Sequence, residues 1–247
     1  MRVRKIIEEM SASKAARRPS GTNENKEDIM RKVIAATFIS LDGVMQAPGG
    51  PQEDPTGGFE HGGWTFHYFD DATGKALFEI FEKPFDLLLG RKTYDIFAAH
   101  WPYAGDDDPI AKLFNSITKY VATRGDRKFD WNNSRSLGSD VVAAIKELKA
   151  GEGPDLLIQG SSNLIQTLLR NGLIDEFNLL TFPLVLGTGK KLFGDGTVPV
   201  AMKLLRVQTS PTGVIMATYR PDGAVKTGSF ALPDPSDEEI ERRKRLQ

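Results

Sequence analysis

Four strand ends in this sequence have residues that could hold a phosphate, and two of them share one form. FDLLL (85–89) runs into Gly90-Arg91-Lys92-Thr93, and DLLIQ (155–159) runs into Gly160-Ser161-Ser162-Asn163. In both, an apolar run stops at a glycine, and small polar or cationic residues then open a helix. A glycine lets the main chain come close to an anion, and the first helical turn offers free N–H groups and the positive end of the dipole. KYVAT (119–123) ends on Thr123 and is followed by Arg124. Arg91 and Arg124 are expected at neighbouring strand ends, where two guanidinium forks suit a phosphate monoester such as the 2′-phosphate of NADPH. Taken singly, each stretch is also what an ordinary turn with solvated side chains looks like. Their convergence on one sheet edge favours a dinucleotide.

Other chemistries find less support. Asp42, in Ser40-Leu41-Asp42-Gly43 after the first strand, is the first candidate to touch substrate or relay a proton, although Asp-Gly is also a common turn pair. His61 and His67 flank Trp64 in a glycine-rich loop, and His100 stands apart; no metal site is expected from them. LGTGKK (186–191) is not a phosphate-binding P-loop, because Leu184 stands where its first glycine should be and Lys191 where Ser or Thr should be. No G-x-S-x-G elbow exists for a serine hydrolase. The chain has no cysteine, which excludes disulfides, thiolate metal sites and a cysteine nucleophile, and fits a reducing cytoplasm. With 32 basic and 33 acidic residues the formal charge is −1, so no global field favours nucleic acid or an anionic membrane. No apolar run approaches the roughly 20 residues needed to span a bilayer, and no apolar region follows the basic N-terminus as in a secretory signal.

The elements that must position these residues can be read from periodicity. The first 29 residues are polar and read as a flexible extension; residues 30–221 read as one domain, and 222–247 as a polar tail. Within the domain, KVIAATFI (32–39), FDLLL (85–89), KYVAT (119–123), DLLIQ (155–159) and EFNLLTF (176–182) read as buried strands. Helical spacing appears over 71–83, from Pro109 behind Asp108 to Ile117, from Ser139 to Gly151, and from Ser161 or Ser162 to Gly172. MKLLRVQTS and VIMATYR, joined at Pro211-Thr212-Gly213, read as a hairpin. The expected fold class is α/β: a mostly parallel central sheet flanked by helices on both faces, with an antiparallel C-terminal hairpin. Residues 40–69 form a long glycine- and proline-rich loop of the kind that usually carries function.

The ordered set ATFISLDGVMQAPGGPQEDPTGGFEHGGW, DLLLGRKTYDIF, KYVATR and LLIQGSSNLIQTLLRNGLIDEFNLLTFPLVLGTGKKLF resembles the dihydrofolate reductase-like superfamily. The nearer branch is the C-terminal reductase domain of the bifunctional riboflavin-biosynthesis deaminase/reductase and its stand-alone bacterial relatives. The resemblance covers about residues 31–221. It implies a reductase using NADPH to transfer hydride to a C=N or C=O group of a small pterin- or pyrimidine-like heterocycle, in a cytoplasmic homodimer. Carried over by position, Gly90, Arg91, Lys92 and Thr93 would hold cofactor phosphates. Thr123 and Arg124 would meet the adenosine end, and Gly160, Ser161, Ser162 and Asn163 the second pyrophosphate turn. Asp42 and Gly43 would cover the nicotinamide, with Trp64, His67, Asp70, Leu186 and Gly187 toward the substrate. Trp64, His67, Tyr68 and Phe69 could stack on a flat ring, or equally serve the core or a dimer contact. The register of Asp70 and Asp71 does not match the substrate carboxylate of folate reductases, so folate is not implied. The absence of cysteine rules out a Cys-ligated zinc deaminase in this chain. The alternative from another class is the same fold binding a nucleotide or small molecule without turnover.

Overall fold

The computed structural model describes residues 30–105, 107–125, 127–231 and 233–246. The extension over residues 1–29 lies outside the described residues. Eight strands form one sheet: β1 (Val33–Ser40), β2 (Phe85–Gly90), β3 (Lys119–Ala122), β4 (Ser134–Ser136), β5 (Asp155–Ile158), β6 (Glu176–Phe182), β7 (Met202–Thr209) and β8 (Ile215–Pro221). Their order is β4-β3-β2-β5-β1-β6-β8-β7. The pairs through β6 are all parallel, and β8 and β7 add an antiparallel edge. The helices are α1 (Asp71–Phe81), α2 (Arg91–Ala98), α3 (Pro109–Ser116), α4 (Val141–Ala150), α5 (Ser162–Arg170) and α6 (Asp237–Lys244), with a 3₁₀ turn at Trp101–Tyr103.

The pleat sorts the core into two layers. On β2, Leu88 points to the layer built with Ile145 of α4 and Ile165 and Leu168 of α5. Leu87 and Leu89 point the other way, onto Leu77 and Phe81 of α1, Tyr94 of α2 and Phe114 of α3. Strands buried on both faces carry near-continuous apolar runs, which is why VIAATFIS and FDLLLG show no polar alternation. A third cluster packs Val44, Ala47, Phe59 and Trp64 of the long loop against Phe182 and Met216, so this loop is a built part of the domain.

Caps set the helix starts. Asp108 accepts from the backbone N–H groups of Ile110 and Ala111, and Pro109 takes the first helical position. At α4 the cap is Asp140, accepting from Ala143, rather than the neighbouring Ser139. At the far end of the sheet from the helix starts after β2 and β5, the buried Arg31 pairs with Asp86 at 2.6 Å and donates to the carbonyl of Pro154 at 2.5 Å. After β8 the described residues form no helix or strand until α6, an exposed helix held by Glu239 with Arg242 and Arg243.

Candidate active site

β2 and β5 are neighbours, so their glycine turns lie side by side. The fit is close. A Cβ on Gly90 would lie 2.2 Å from Ser161 Oγ, and a Cβ on Gly160 would lie 2.8 Å from Thr93 Oγ1. Only glycine lets the two turns interlock this way, and the interlock sets the N-termini of α2 and α5 next to each other. The peptide bond between Gly160 and Ser161 is cis. Neither Gly90 nor Ser161, the residues ahead of these helices, makes a side-chain cap bond. The first-turn N–H groups therefore remain free to bind an anion.

These helix starts open into a cavity of about 1030 Å³. All ten residues expected to hold a cofactor line it: Gly90, Arg91, Lys92, Thr93, Thr123, Arg124, Gly160, Ser161, Ser162 and Asn163. Arg91 makes an exposed pair with Asp95 at 3.1 Å, and Asp95 also takes Arg127 at 2.6 Å. Arg124 is exposed and makes no ion pair among the described residues. Both arginines line the cavity, Arg91 already paired with Asp95.

The other half of the cavity is ring-lined. Phe38 comes from β1, Phe69 from the end of the long loop, Phe78 and Phe81 from α1, Phe97 from α2, and Trp101 from the 3₁₀ turn. Phe38 and Phe69 meet edge to face at 6.1 Å, as do Phe97 and Trp101 at 6.0 Å. Gln46, Glu53, Asp54, Thr65 and Lys190 line the same cavity. Gln46 is buried and ties this wall together. Its amide donates to the carbonyls of Asp54 and Thr56, both at 2.8 Å, and its carbonyl accepts from Lys190 N at 2.9 Å. Lys190 Nζ pairs with Asp54 and donates to Thr56 Oγ1. Burial pushes the Asp54 carboxyl up, but the hydrogen bonds from Lys190 and Thr56 outweigh it and hold it below the ordinary value. Glu53 goes the other way. Burial raises its carboxyl, and the N–H groups of Gly49 and Gly50, at 2.6 and 3.2 Å, offset only part of that.

The residues expected to face substrate lie outside this lining. Asp42 serves its own turn: its carboxylate accepts from Ser40 Oγ at 2.6 Å, Leu186 N at 3.1 Å and Gly187 N at 2.9 Å. Burial raises its carboxyl, but these bonds prevail and hold it below the ordinary value. Asp42, Leu186 and Gly187 thus form one clamp between the ends of β1 and β6. Trp64 is buried against Phe182 and donates to the carbonyl of Gln46 at 2.7 Å, so it supports the cavity wall from behind. His67 packs on Phe66. Asp70 caps α1 through Thr73 and reaches Thr212 in the β7–β8 turn. Sequence reasoning passed over Glu53, Gln46 and Lys190 as site residues. The one local sign was the acidic pair Glu53-Asp54 inside a glycine- and proline-rich loop.

The sequence over residues 31–216 matches the RibD C-terminal domain model. The chain belongs to the RibD C-terminal domain family. Among family-like proteins, the uncharacterized protein YyaP of Bacillus subtilis (strain 168) is 28% identical over 209 residues, covering 82% of this chain and all of YyaP. A solved protein from Shewanella sp. PV-4, assigned by its name to riboflavin biosynthesis, superposes with a TM-score of 0.55 at 20% identity, covering 77% of this chain and 99% of that one. The Thermotoga maritima diaminohydroxyphosphoribosylaminopyrimidine deaminase/5-amino-6-(5-phosphoribosylamino)uracil reductase superposes with a TM-score of 0.50 at 15% identity, covering 78% of this chain and 57% of that one. At these identities the structures establish the fold alone: the mostly parallel sheet flanked by helices, with an antiparallel C-terminal edge, that the sequence led us to expect. No helix among the described residues is long and apolar enough to cross a membrane.

Proposed function

We propose that this protein is an NADPH-dependent reductase that delivers hydride to a C=N or C=O group of a small heterocyclic substrate. One observation carries the reading: the phosphate-type strand ends and a ring-lined chamber share a single cavity. The residues present fit the cofactor. Uncapped helix starts at α2 and α5 offer N–H groups to a pyrophosphate, glycines allow close approach, and Arg91 and Arg124 offer charge to a 2′-phosphate. When bound, NADPH supplies the hydride. The chain binds and orients the reactants: the two interlocked turns fix the phosphates, and the rings of Phe38, Phe69 and Trp101 keep water from the reacting end.

We also infer a cytoplasmic homodimer. β7 is an edge strand on which Leu204, Leu205 and Val207 are each about half exposed, and a second copy would cover them.

The test is turnover. Purified protein with NADPH is offered a panel of neutral heterocycles bearing C=N or C=O groups, and loss of the reduced nicotinamide absorbance is followed. Oxidation dependent on one ring class supports a reductase. Tight NADPH binding with no oxidation across the panel would instead make this a binding protein on a reductase fold.

A further inference from the structure

The charges lining the cavity are divided unevenly, and the division bears on the substrate. Arg91, Lys92 and Arg124 all lie at the strand ends. Among the described residues the fourth basic lining residue is Lys190, and its ammonium is already held by Asp54 and Thr56. Two carboxylates, Glu53 and Asp54, stand on the same wall. The Thermotoga maritima enzyme is named for a substrate that carries a phosphoribosyl group. Away from the strand ends, a phosphate dianion in this cavity would meet apolar rings and carboxylates, and the one further lining ammonium among the described residues is already paired.

Resting on the reductase reading, we propose that the ring-lined half takes a neutral, flat, unphosphorylated heterocycle, whose polar edge is hydrogen-bonded by the Glu53 carboxyl. Glu53 is held firmly in place. Its Oε2 accepts from Gly49 N and Gly50 N, which leaves the rest of the carboxyl for a ligand. Gly62 packs tightly behind this loop, where an added Cβ would lie 2.6 Å from the carbonyl of Gly50. The charged or titratable groups that act on Glu53 are Asp54, beside it in the chain, and His100, which packs on Trp101. Burial raises this carboxyl above an ordinary glutamate, and ring N–H or amino groups, from which the carboxylate accepts, would offset the cost of keeping its charge there. Phe38, Phe69, Phe78 and Trp101 supply faces and edges for the flat ring.

The test uses 6-hydroxymethylpterin and its phosphate ester, titrated calorimetrically into the full-length protein saturated with NADPH. The expected result is that the free pterin binds at least tenfold tighter than the ester. Equal or tighter binding of the ester overturns the proposal, and so does binding of neither ring to the NADPH complex. Failure of NADPH itself to bind is seen before any ring is added, and it overturns the reductase reading on which the proposal rests. Glu53→Gln keeps an oxygen for Gly49 and Gly50 but removes the charge. In this variant the preference for the free pterin should shrink by at least threefold, and an unchanged ratio would remove Glu53 from the site. A urea midpoint measured alongside confirms that the variant is folded.

Discussion

The interlock of the β2 and β5 turns gives the sharpest prediction. Gly90 has φ −72° and ψ 156°, a conformation open to any residue, so Gly90→Ala introduces no backbone strain. By itself the change would stabilise by roughly 0.4–1 kcal/mol through the unfolded chain. The added methyl would lie 2.2 Å from Ser161 Oγ and 3.0 Å from Ser161 Cβ. Rotating the serine side chain moves the first atom but not the second, so the end of β5 must yield. Overpacking of this kind costs about 1–3 kcal/mol. The net loss of stability should be about 1–2 kcal/mol in urea denaturation, and NADPH should bind at least about tenfold more weakly, roughly 1.4 kcal/mol. Ser161→Gly removes both close atoms and leaves Ser161 N at 3.4 Å, an ordinary contact. The double variant should therefore recover most of both losses, with a coupling of about 1–2 kcal/mol in the cycle. If Gly90→Ala binds NADPH within about twofold of the wild type, or if Ser161→Gly rescues nothing, the two turns do not form one phosphate cradle.

Arg91→Ala with Arg124→Ala should weaken NADPH by about 1–3 kcal/mol while leaving NADH nearly unchanged, because the lost bonds go to the 2′-phosphate alone; calorimetry with both nucleotides reads this directly. Asp70 has its carboxyl held down at about 2, since four hydrogen bonds from Thr73 and Thr212 outweigh burial. An unfolded aspartate titrates near ~3.9, so this stability is present above about pH 4 and drains away as pH falls toward 2. Asp70→Ala should lower stability at pH 7 by about 1–2 kcal/mol, and the gap to wild type should close on acidification in urea melts. Gln46→Ala strands the carbonyls of Asp54 and Thr56 and the N–H of Lys190, so it should cost about 2–3 kcal/mol in the same assay.

That the glycine strand ends meet at one cavity was legible because the signal is local. A buried run, a glycine and a helix start sit within four residues of one another, and adjacency of β2 and β5 does the rest. The surroundings of the residues expected toward the substrate were not legible. Asp42 is spent on Leu186 and Gly187, more than 140 residues away in the chain, and nothing near Asp42 announces that clamp. The same is true of Asp70: its cap on Thr73 can be read from spacing, its bond to Thr212 cannot. Glu53 reaches the cavity only because the loop from Gln46 to Thr65 folds back on itself, which glycines and prolines permit without specifying. β4 escaped notice because Ser134–Ser136 is a short polar edge strand with no apolar alternation. The α4 cap fell one residue from expectation because Ser139 and Asp140 are both good caps, and only the geometry selects Asp140.

The most direct test of the account is a calorimetric titration of the wild-type protein with NADPH and with NADH. The account predicts tight NADPH binding and NADH at least about tenfold weaker, roughly 1.4 kcal/mol. If neither nucleotide binds, or both bind equally, the strand ends of β2, β3 and β5 do not read a dinucleotide 2′-phosphate and the central claim fails.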